Sequence, residues 1–274
     1  MASGKRGARV DSFPGLRRAM TRPSADLPLY VINLPASADR RASIQRQAEA
    51  LGIEVTMWEA VNGSIPHPLF AKVDEKRRLA CKGRPFRPGE IGCWASHYLL
   101  WQQCVDSGRP MMVFEDDITI DPRFLDVLRD LPSLPESVGY FRLHAADRPS
   151  SAWIRFGDSV LHRYWRSPLC AFGYYLTPEA AAKFLRHAEH WVLPVDDYMD
   201  LAWLHGVECL GLKPGVVRSG HLFASVIQAG RKAKPAVGPL GWLSREVYRA
   251  GLSVRWFAYN LASRLRGRTP ADNG

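Results

Sequence analysis

The stretch of this chain best equipped to do chemistry is Met111-Met112-Val113-Phe114-Glu115-Asp116-Asp117, four apolar residues followed at once by three carboxylates. A short apolar run predicts a buried strand of an α/β sheet, and acids at the carboxyl end of such a strand stand where open sheets receive their ligands. Adjacent carboxylates repel one another and raise each other's pKa unless a cation or strong hydrogen-bond donors compensate. An all-oxygen cluster of this kind suits a hard divalent ion, Mg²⁺ or Mn²⁺. The alternative reading of the same residues is a solvated acidic turn that caps a helix beginning near Pro122.

The elements that must position these acids follow from periodicity. Residues 29–33 read as a first strand. Residues 37–51 read as a helix with Ile44, Ala48 and Leu51 at helical spacing and Gly52 as its stop, and residues 53–58 as a second strand. This β-α-β opening predicts a parallel pair. Residues 65–88, with Pro66, Pro68, Pro85, Pro88 and the charged run Asp74-Glu75-Lys76-Arg77-Arg78, read as a long loop of the kind that often carries function. A helix over 89–107, ended by Gly108, leads straight into the acid-bearing strand. Further strands are expected at 139–143, 172–176 and 207–212. Thr177-Pro178-Glu179 has the N-cap, proline and acid of a helix start.

Composition narrows the class. With 274 residues and 46% hydrophobic content the chain can bury a substantial core. Its net charge of +10 is uneven: +4 falls on residues 1–27, +7 on 231–274, and −1 on everything between. A nearly neutral body with basic ends argues against a nucleic-acid groove and for an anionic surface. The five cysteines form no C-x-x-C pair and leave one over in any disulfide scheme, so they read as reduced thiols of a cytosolic protein. The first 27 residues lack the apolar region of a secretory signal, and no apolar run approaches the length of a membrane span.

The motifs YVINLPASADRR, RPGEIGCWASHYLLW, VFEDDITI, GYYLTPEAAAKFL and PVDDYM, in this order, make the chain resemble glycosyltransferase family 25, the lipopolysaccharide and collagen sugar transferases. The resemblance covers residues 29–227. It implies an α/β, GT-A-like fold, a Rossmann-related mixed sheet flanked by helices, with a nucleotide-sugar donor, usually UDP-linked, a divalent metal, and inversion at the anomeric carbon. The organisation expected is a basic extension over 1–27, a transferase domain over 28–230, and a basic amphipathic tail over 231–274.

Within that resemblance Asp117, aided by Asp116 and Glu115, is the expected metal site, an earlier acid of the three touching the donor. Asn33, Asp39 and Arg40, at or beyond the end of the first strand, are expected donor contacts. For Asp39 the alternative is satisfaction of a helix N-terminus, and Arg41 reads as a solvated helix residue. Glu90, Ser96 and His97 match polar positions of the family, with Glu90, Trp94 and His97 on one helix face. Trp94, Leu100 and Trp101 read as core, and His97 could equally be a satisfied structural histidine. Asp196 is the expected general base or acceptor anchor, its alternative being an N-cap, while Asp197 and Asp200 read as capping or solvated. His221 is the expected third metal ligand, as in metal-dependent sugar transferases that place a late histidine on the metal or diphosphate, although the family more often shows a glutamine and an S-x-I pattern nearby.

The tail places Leu240, Trp242, Leu243, Val247, Tyr248, Leu252, Trp256, Phe257 and Leu261 among Arg245, Arg249, Arg255, Arg264, Arg266 and Arg268. Such a helix either lies in the headgroup region of an anionic bilayer or packs on the body. The reading that joins these features is a metal-dependent inverting transferase. It would move a hexose, galactose being the family's common donor sugar, from a UDP-sugar to a lipopolysaccharide-type or other glycolipid acceptor at the cytosolic face of a membrane. The alternatives are a metal-dependent phosphoester or nucleotide-sugar hydrolase and a non-catalytic glycan- or membrane-binding protein on a transferase fold.

Overall fold

Alternating burial of Leu29, Val31 and Asn33 defines strand β1 (Leu29–Asn33) in the computed structural model, which describes residues 27–220 and 238–265. Helix α1 (Ala38–Leu51) buries Ile44 and Ala48 and closes on Gly52, whose φ of 64° is the left-handed conformation glycine takes at a helix end. Ile53 still donates its N–H to the Ala48 carbonyl, so strand β2 (Thr56–Glu59) begins later than the apolar pattern implies.

The expected loop over 65–88 is largely helical. A 3-10 turn at Pro68–Lys72 precedes helix α2 (Glu75–Lys82), which contains most of the charged run. Asp74 accepts the Arg77 N–H as its N-cap, Glu75 sits in the first turn, Lys82 in the last, and Gly83 ends it. The charges thus complement the helix dipole and hide the element from an apolar-periodicity reading. Helix α3 (Pro88–Ser107) then leads into β3 (Met111–Glu115), followed by β4 (Ile118–Ile120), α4 (Phe124–Asp130) and β5 (Tyr140–Arg142). A hairpin of β6 (Ser150–Phe156) and β7 (Ser159–Tyr164) is unanticipated; β6 is mostly exposed or half-buried, and its register shifts between Ala152 and Ile154. The remainder is β8 (Gly173–Leu176), α5 (Pro178–Arg186), α6 (Val195–Met199), α7 (Ala202–His205), β9 (Leu210–Leu212), β10 (Val217–Ser219) and α8 (Pro239–Leu265). As expected, the Thr177 side chain caps α5 by accepting the Ala180 N–H.

Eight strands form one mixed sheet in the order β2-β1-β3-β8-β5-β9-β7-β6, and β10 pairs with β4 in a small second sheet. β2, β1 and β3 are mutually parallel, so the predicted β-α-β opening is present and its strand ends share one edge. Strand alternation divides the core. Met112, Phe114 and Tyr175 face a cluster with Ile44, Phe124 and Phe141, while Met111, Val113, Tyr174 and Leu176 face one with Trp94, Trp101 and Phe184. Trp94 and Trp101 are core, as their spacing predicts. Trp94 stacks on Trp191 at 4.8 Å between ring centroids and donates its indole N–H to the Leu193 carbonyl at 2.7 Å. That bond ties α3 to the segment entering α6.

Helix α8 packs on α2 and α7. Its Trp256 meets Trp203 edge-on, and Asn260 both accepts from the Arg163 guanidinium and donates to the Trp165 carbonyl. The tail is therefore joined to the body along one face.

Candidate functional site

The parallel pairing of β1 and β3, with Ile32 opposite Glu115, brings Asn33 and the three acids to one edge of the sheet. The buried Asn33 amide donates to Asp116 Oδ2 at 2.7 Å and to the Ser37 carbonyl at 3.2 Å, and its oxygen accepts from Arg41 Nε at 3.0 Å. Arg40, one turn into α1, pairs with Asp116 Oδ1 at 2.9 Å and lies 3.9 Å from Asp117 Oδ2. Both oxygens of Asp116 are therefore engaged by the β1–α1 junction. Arg41 is not the solvated residue expected; it orients Asn33.

Glu115 and Asp117 instead line a pocket of about 320 Å³, with Asp196 and Asp197 from the start of α6, Lys82 from the end of α2 and Arg84 just beyond it. That volume is at the lower end of small-molecule sites, about 300–1,000 Å³. Burial, and then the charge of Glu115, push the Asp117 carboxyl up to about 6 against the opposing pull of Arg40. Burial and the negative charges of Asp197 and Asp200 likewise raise Asp196 to about 6, although the Cys170 N–H donates to its Oδ2 at 3.2 Å. Lys82 offsets this concentration of acid by pairing with Asp197 at 2.5 Å.

The fit to a divalent ion can be judged from unmet bonding capacity. Asp117 Oδ1 and His97 Nε2 are among the buried side-chain atoms of the described residues that have no hydrogen-bond partner, and these two stand at the pocket acids. His97 Nε2 lies 3.9 Å from Glu115 Oε1, and Cys93, His97 and Glu115 each bring a ligand atom within 4.8 Å of the others. Burial pushes the Cys93 thiol well up, so it adds no thiolate, and the carboxylates of Glu115 and, in the same pocket, Asp117 are the oxygen donors that suit Mn²⁺ or Mg²⁺.

Comparison with known proteins bears on this site directly. The profile described as "Glycosyltransferase family 25 (LPS biosynthesis protein)" matches residues 26–199, which contain every pocket residue named above. The chain belongs to glycosyltransferase family 25. A "Glycosyltransferase 25 family member" of Anopheles gambiae is 29% identical over 209 residues, 68% of this chain and 34% of that protein. "Procollagen galactosyltransferase 1" of Danio rerio is 29% identical over 64% of this chain and 31% of its own length. "Procollagen galactosyltransferase 2" of Mus musculus is 31% identical over 64% and 30%. The chain thus spans about a third of these relatives. A solved glycosyltransferase involved in the glycosylation of the major capsid of PBCV-1 aligns over 59% of this chain and 65% of its own, at TM-score 0.32 and 10% identity, too low a similarity to argue from.

The family 25 motif residues on α3 have their polar atoms engaged largely within the protein. Ser96 is fully buried, accepting the Val61 N–H at 2.9 Å and donating to the Gly92 carbonyl at 2.7 Å, so its hydroxyl holds the loop after β2. Gly92 is needed there, since a Cβ would stand 2.4 Å from the Val61 carbonyl oxygen. Glu90 reaches the pocket wall but is gripped by Arg84 at 2.7 and 2.8 Å, by the buried Arg78 at 3.3 Å, and by the Arg87 N–H at 3.0 Å. Burial alone would raise its pKa, yet these donors hold it below the ordinary carboxylate range. Glu90 therefore positions Arg84. His97 is also fully buried, its Nδ1 hydrogen-bonded to the Tyr174 hydroxyl at 2.8 Å and its Nε2 behind Glu115. Asp39 is exposed in the first turn of α1, apart from the pocket lining. The expected ligand His221 lies outside the described residues.

Residues around the candidate site were not singled out in the sequence, and Asp200, read as capping or solvated, is buried. Lys82 and Arg84 were hidden in the supposed loop. Arg142 and Asp200 form a fully buried ion pair under the pocket; Asp200 also accepts from Ser167 and from the Leu169 N–H at 3.1 Å, while Arg142 donates to the Asp196 carbonyl at 3.3 Å. The neighbouring wall residues Leu169 and Cys170 have φ of 61° and 64°, an uncommon conformation for residues with a Cβ. The amides of these two residues are held by Asp200 and Asp196. The third acid of Asp196-Asp197-Tyr198-Met199-Asp200 was the available signal, since an acid four residues on shares a helix face with the first.

Proposed function

We propose that this chain is an inverting hexosyltransferase of GT-A-like fold that moves galactose from a UDP-sugar to a lipopolysaccharide-type or other glycolipid acceptor. The observation that carries this reading is the convergence of Asp117, Glu115 and Asp196, from two separate elements, on one pocket at the edge where β1 and β3 end. The family description supports the acceptor class and the names of the vertebrate relatives support galactose.

Each residue has a task it can perform where it stands. Asp196, with a pKa near 6, is ionised at neutral pH yet basic enough to take the proton of an attacking hydroxyl. Its orientation is set by the Cys170 amide and by Arg142, which is anchored on Asp200. Glu115 and Asp117 would hold Mn²⁺ or Mg²⁺, which when bound offsets the charge developing on a departing diphosphate. Arg40 and Asn33 hold Asp116, so the turn carrying Asp117 keeps its place. Arg84, held by Glu90 through both terminal nitrogens, brings a cationic side chain to the pocket wall, where it adds to the attraction for a diphosphate.

The test is a panel of nucleotide sugars assayed with Mn²⁺ and again with EDTA, for the native chain and for Asp117→Asn. Transfer from one UDP-hexose that needs both the metal and Asp117 is the expected result. Undiminished transfer by Asp117→Asn would overturn the metal assignment, and consumption of donor at full rate without any acceptor would make the protein a hydrolase.

A further inference from the structure

Helix α8 has two apolar faces, and the body covers one of them. Tyr248, Leu252, Trp256, Tyr259 and Ser263 are buried or half-buried toward α2, α7 and the hairpin. On the opposite side Leu243, Val247, Ala250, Val254, Phe257, Leu261 and Leu265 are all exposed, at successive intervals of four, three, four, three, four and four residues. At 3.6 residues per turn these positions fall on one stripe, about 33 Å long. Val254 is 66% exposed, Phe257 70% and Leu265 79%. No charged residue interrupts the stripe, and a contiguous exposed apolar surface of this length marks an interaction site.

The charges beside the stripe indicate what covers it. Arg249, Arg255 and Arg264 are exposed along its margins. The helix carries a single acid, Glu246, which Arg245 and Arg249 both neutralise. Residues 231–274 carry a net charge of +7. A second copy docked on the stripe would bring two sets of these arginines together, whereas an anionic bilayer would receive the apolar side chains and pair its headgroups with the arginines. Trp242, 54% exposed at the start of the helix, suits the headgroup boundary. Among the described residues no helix is long and apolar enough to cross a membrane, so the contact is that of a helix lying flat.

We propose that α8 seats this protein on an anionic lipid bilayer, with the stripe from Leu243 to Leu265 sunk among the headgroups and the opposite face fixed to the body. The seat is one helix away from the pocket, because α8 packs on α2 and α2 ends in Lys82 at the pocket wall. Ser244, bonded to the Ala80 carbonyl, is one point of that attachment. This inference does not depend on which sugar is transferred or on any transfer at all.

The experiment is co-sedimentation of the full chain with vesicles of phosphatidylcholine alone and of equimolar phosphatidylcholine and phosphatidylglycerol. The native protein is expected to bind the mixed vesicles and to bind the neutral ones about tenfold or more weakly. Val254→Glu with Phe257→Glu should weaken binding to the mixed vesicles by about tenfold or more, the worth of keeping even one large apolar side chain in water. Arg249→Gln with Arg255→Gln should weaken it severalfold and flatten its salt dependence. The melting temperature of the glutamate variant should match the native value; if it falls, Val254→Ser with Phe257→Ser replaces it with the same expected loss. Failure of the native chain to bind the mixed vesicles, or equal binding by the stripe variants, would overturn the proposal. So would sedimentation of the native chain as a dimer that the stripe variants dissolve, which would assign the stripe to a second copy.

Discussion

Replacing Asp196 by Asn separates the two consequences of burying a base. Its carboxyl is raised from 3.8 to about 6 by burial and by Asp197 and Asp200. At about 1.4 kcal/mol per pH unit, ionising it in the folded protein opposes folding by about 3 kcal/mol at neutral pH. Solvent reaching the pocket wall reduces this to about 1–2 kcal/mol. The sign follows from proton binding. Between 3.8 and about 6 the folded state holds the proton more tightly than the unfolded state, so stability falls as pH rises through that window. Below it no penalty exists, and above it the penalty is complete. Asn carries no charge and can still accept the Cys170 N–H, so the variant should be the more stable protein at pH 8 and nearly equal to the native one at pH 4. Turnover should fall by about 10²–10⁴, the usual contribution of a general base, with little change in donor KM. Native kcat should itself fall tenfold per pH unit below about 6. Urea melts at both pH values and steady-state kinetics measure all of this. A stability difference independent of pH, or a variant that turns over normally, would refute the reasoning.

Three further substitutions test the supporting structure. Glu90→Gln leaves the buried Arg78 without its carboxylate and should destabilise the fold by about 3 kcal/mol in urea melts while also weakening donor binding through Arg84. Ser96→Ala strands the Val61 N–H and should lower stability by about 1–2 kcal/mol with kcat little changed, in contrast to any contact with the donor. Gly92→Ala drives a methyl group against the Val61 carbonyl and should lower the melting temperature more than Ser96→Ala does.

Legibility in the sequence tracked how far each element depends on its own residues. β1, α1, α3, β3 and the start of α5 carry their patterns and stop signals locally, and they lie where periodicity and caps predicted. α2 did not show because its stabilisation comes from caps and charges, and from Arg78, which is fully buried against Glu90 and the ring of Phe86. The β6–β7 hairpin depends on pairing with β9, a partner remote in sequence. In the candidate site, residue types marked segments that line the pocket, while some of the polar side chains they marked are bound within the protein. Ser96 and Glu90 have polar side chains whose partners, Val61, Arg78 and Arg84, come from outside α3, so a helical wheel could not show that their bonding capacity is taken. The tail offered two readings, membrane or body, and the structure gives one apolar face to the body and leaves the other exposed.

The three acids that close β3 are divided by their partners. Glu115 ends the strand, and Asp116 and Asp117 form the bend before β4. Glu115 and Asp117 line the pocket, and Asp116 turns toward Asn33 and Arg40. The bend thus separates the two pocket acids in sequence and gives the middle one a cationic partner. Arg40 also lies within 3.9 Å of Asp117 and lowers its pKa, so the clamp on Asp116 moderates the very acid it steadies. Without it, Asp117 would face burial and Glu115 unopposed and would hold its proton to higher pH, closed to a cation over more of the neutral range. The middle acid thus bears on the chemistry through position and charge rather than by contact.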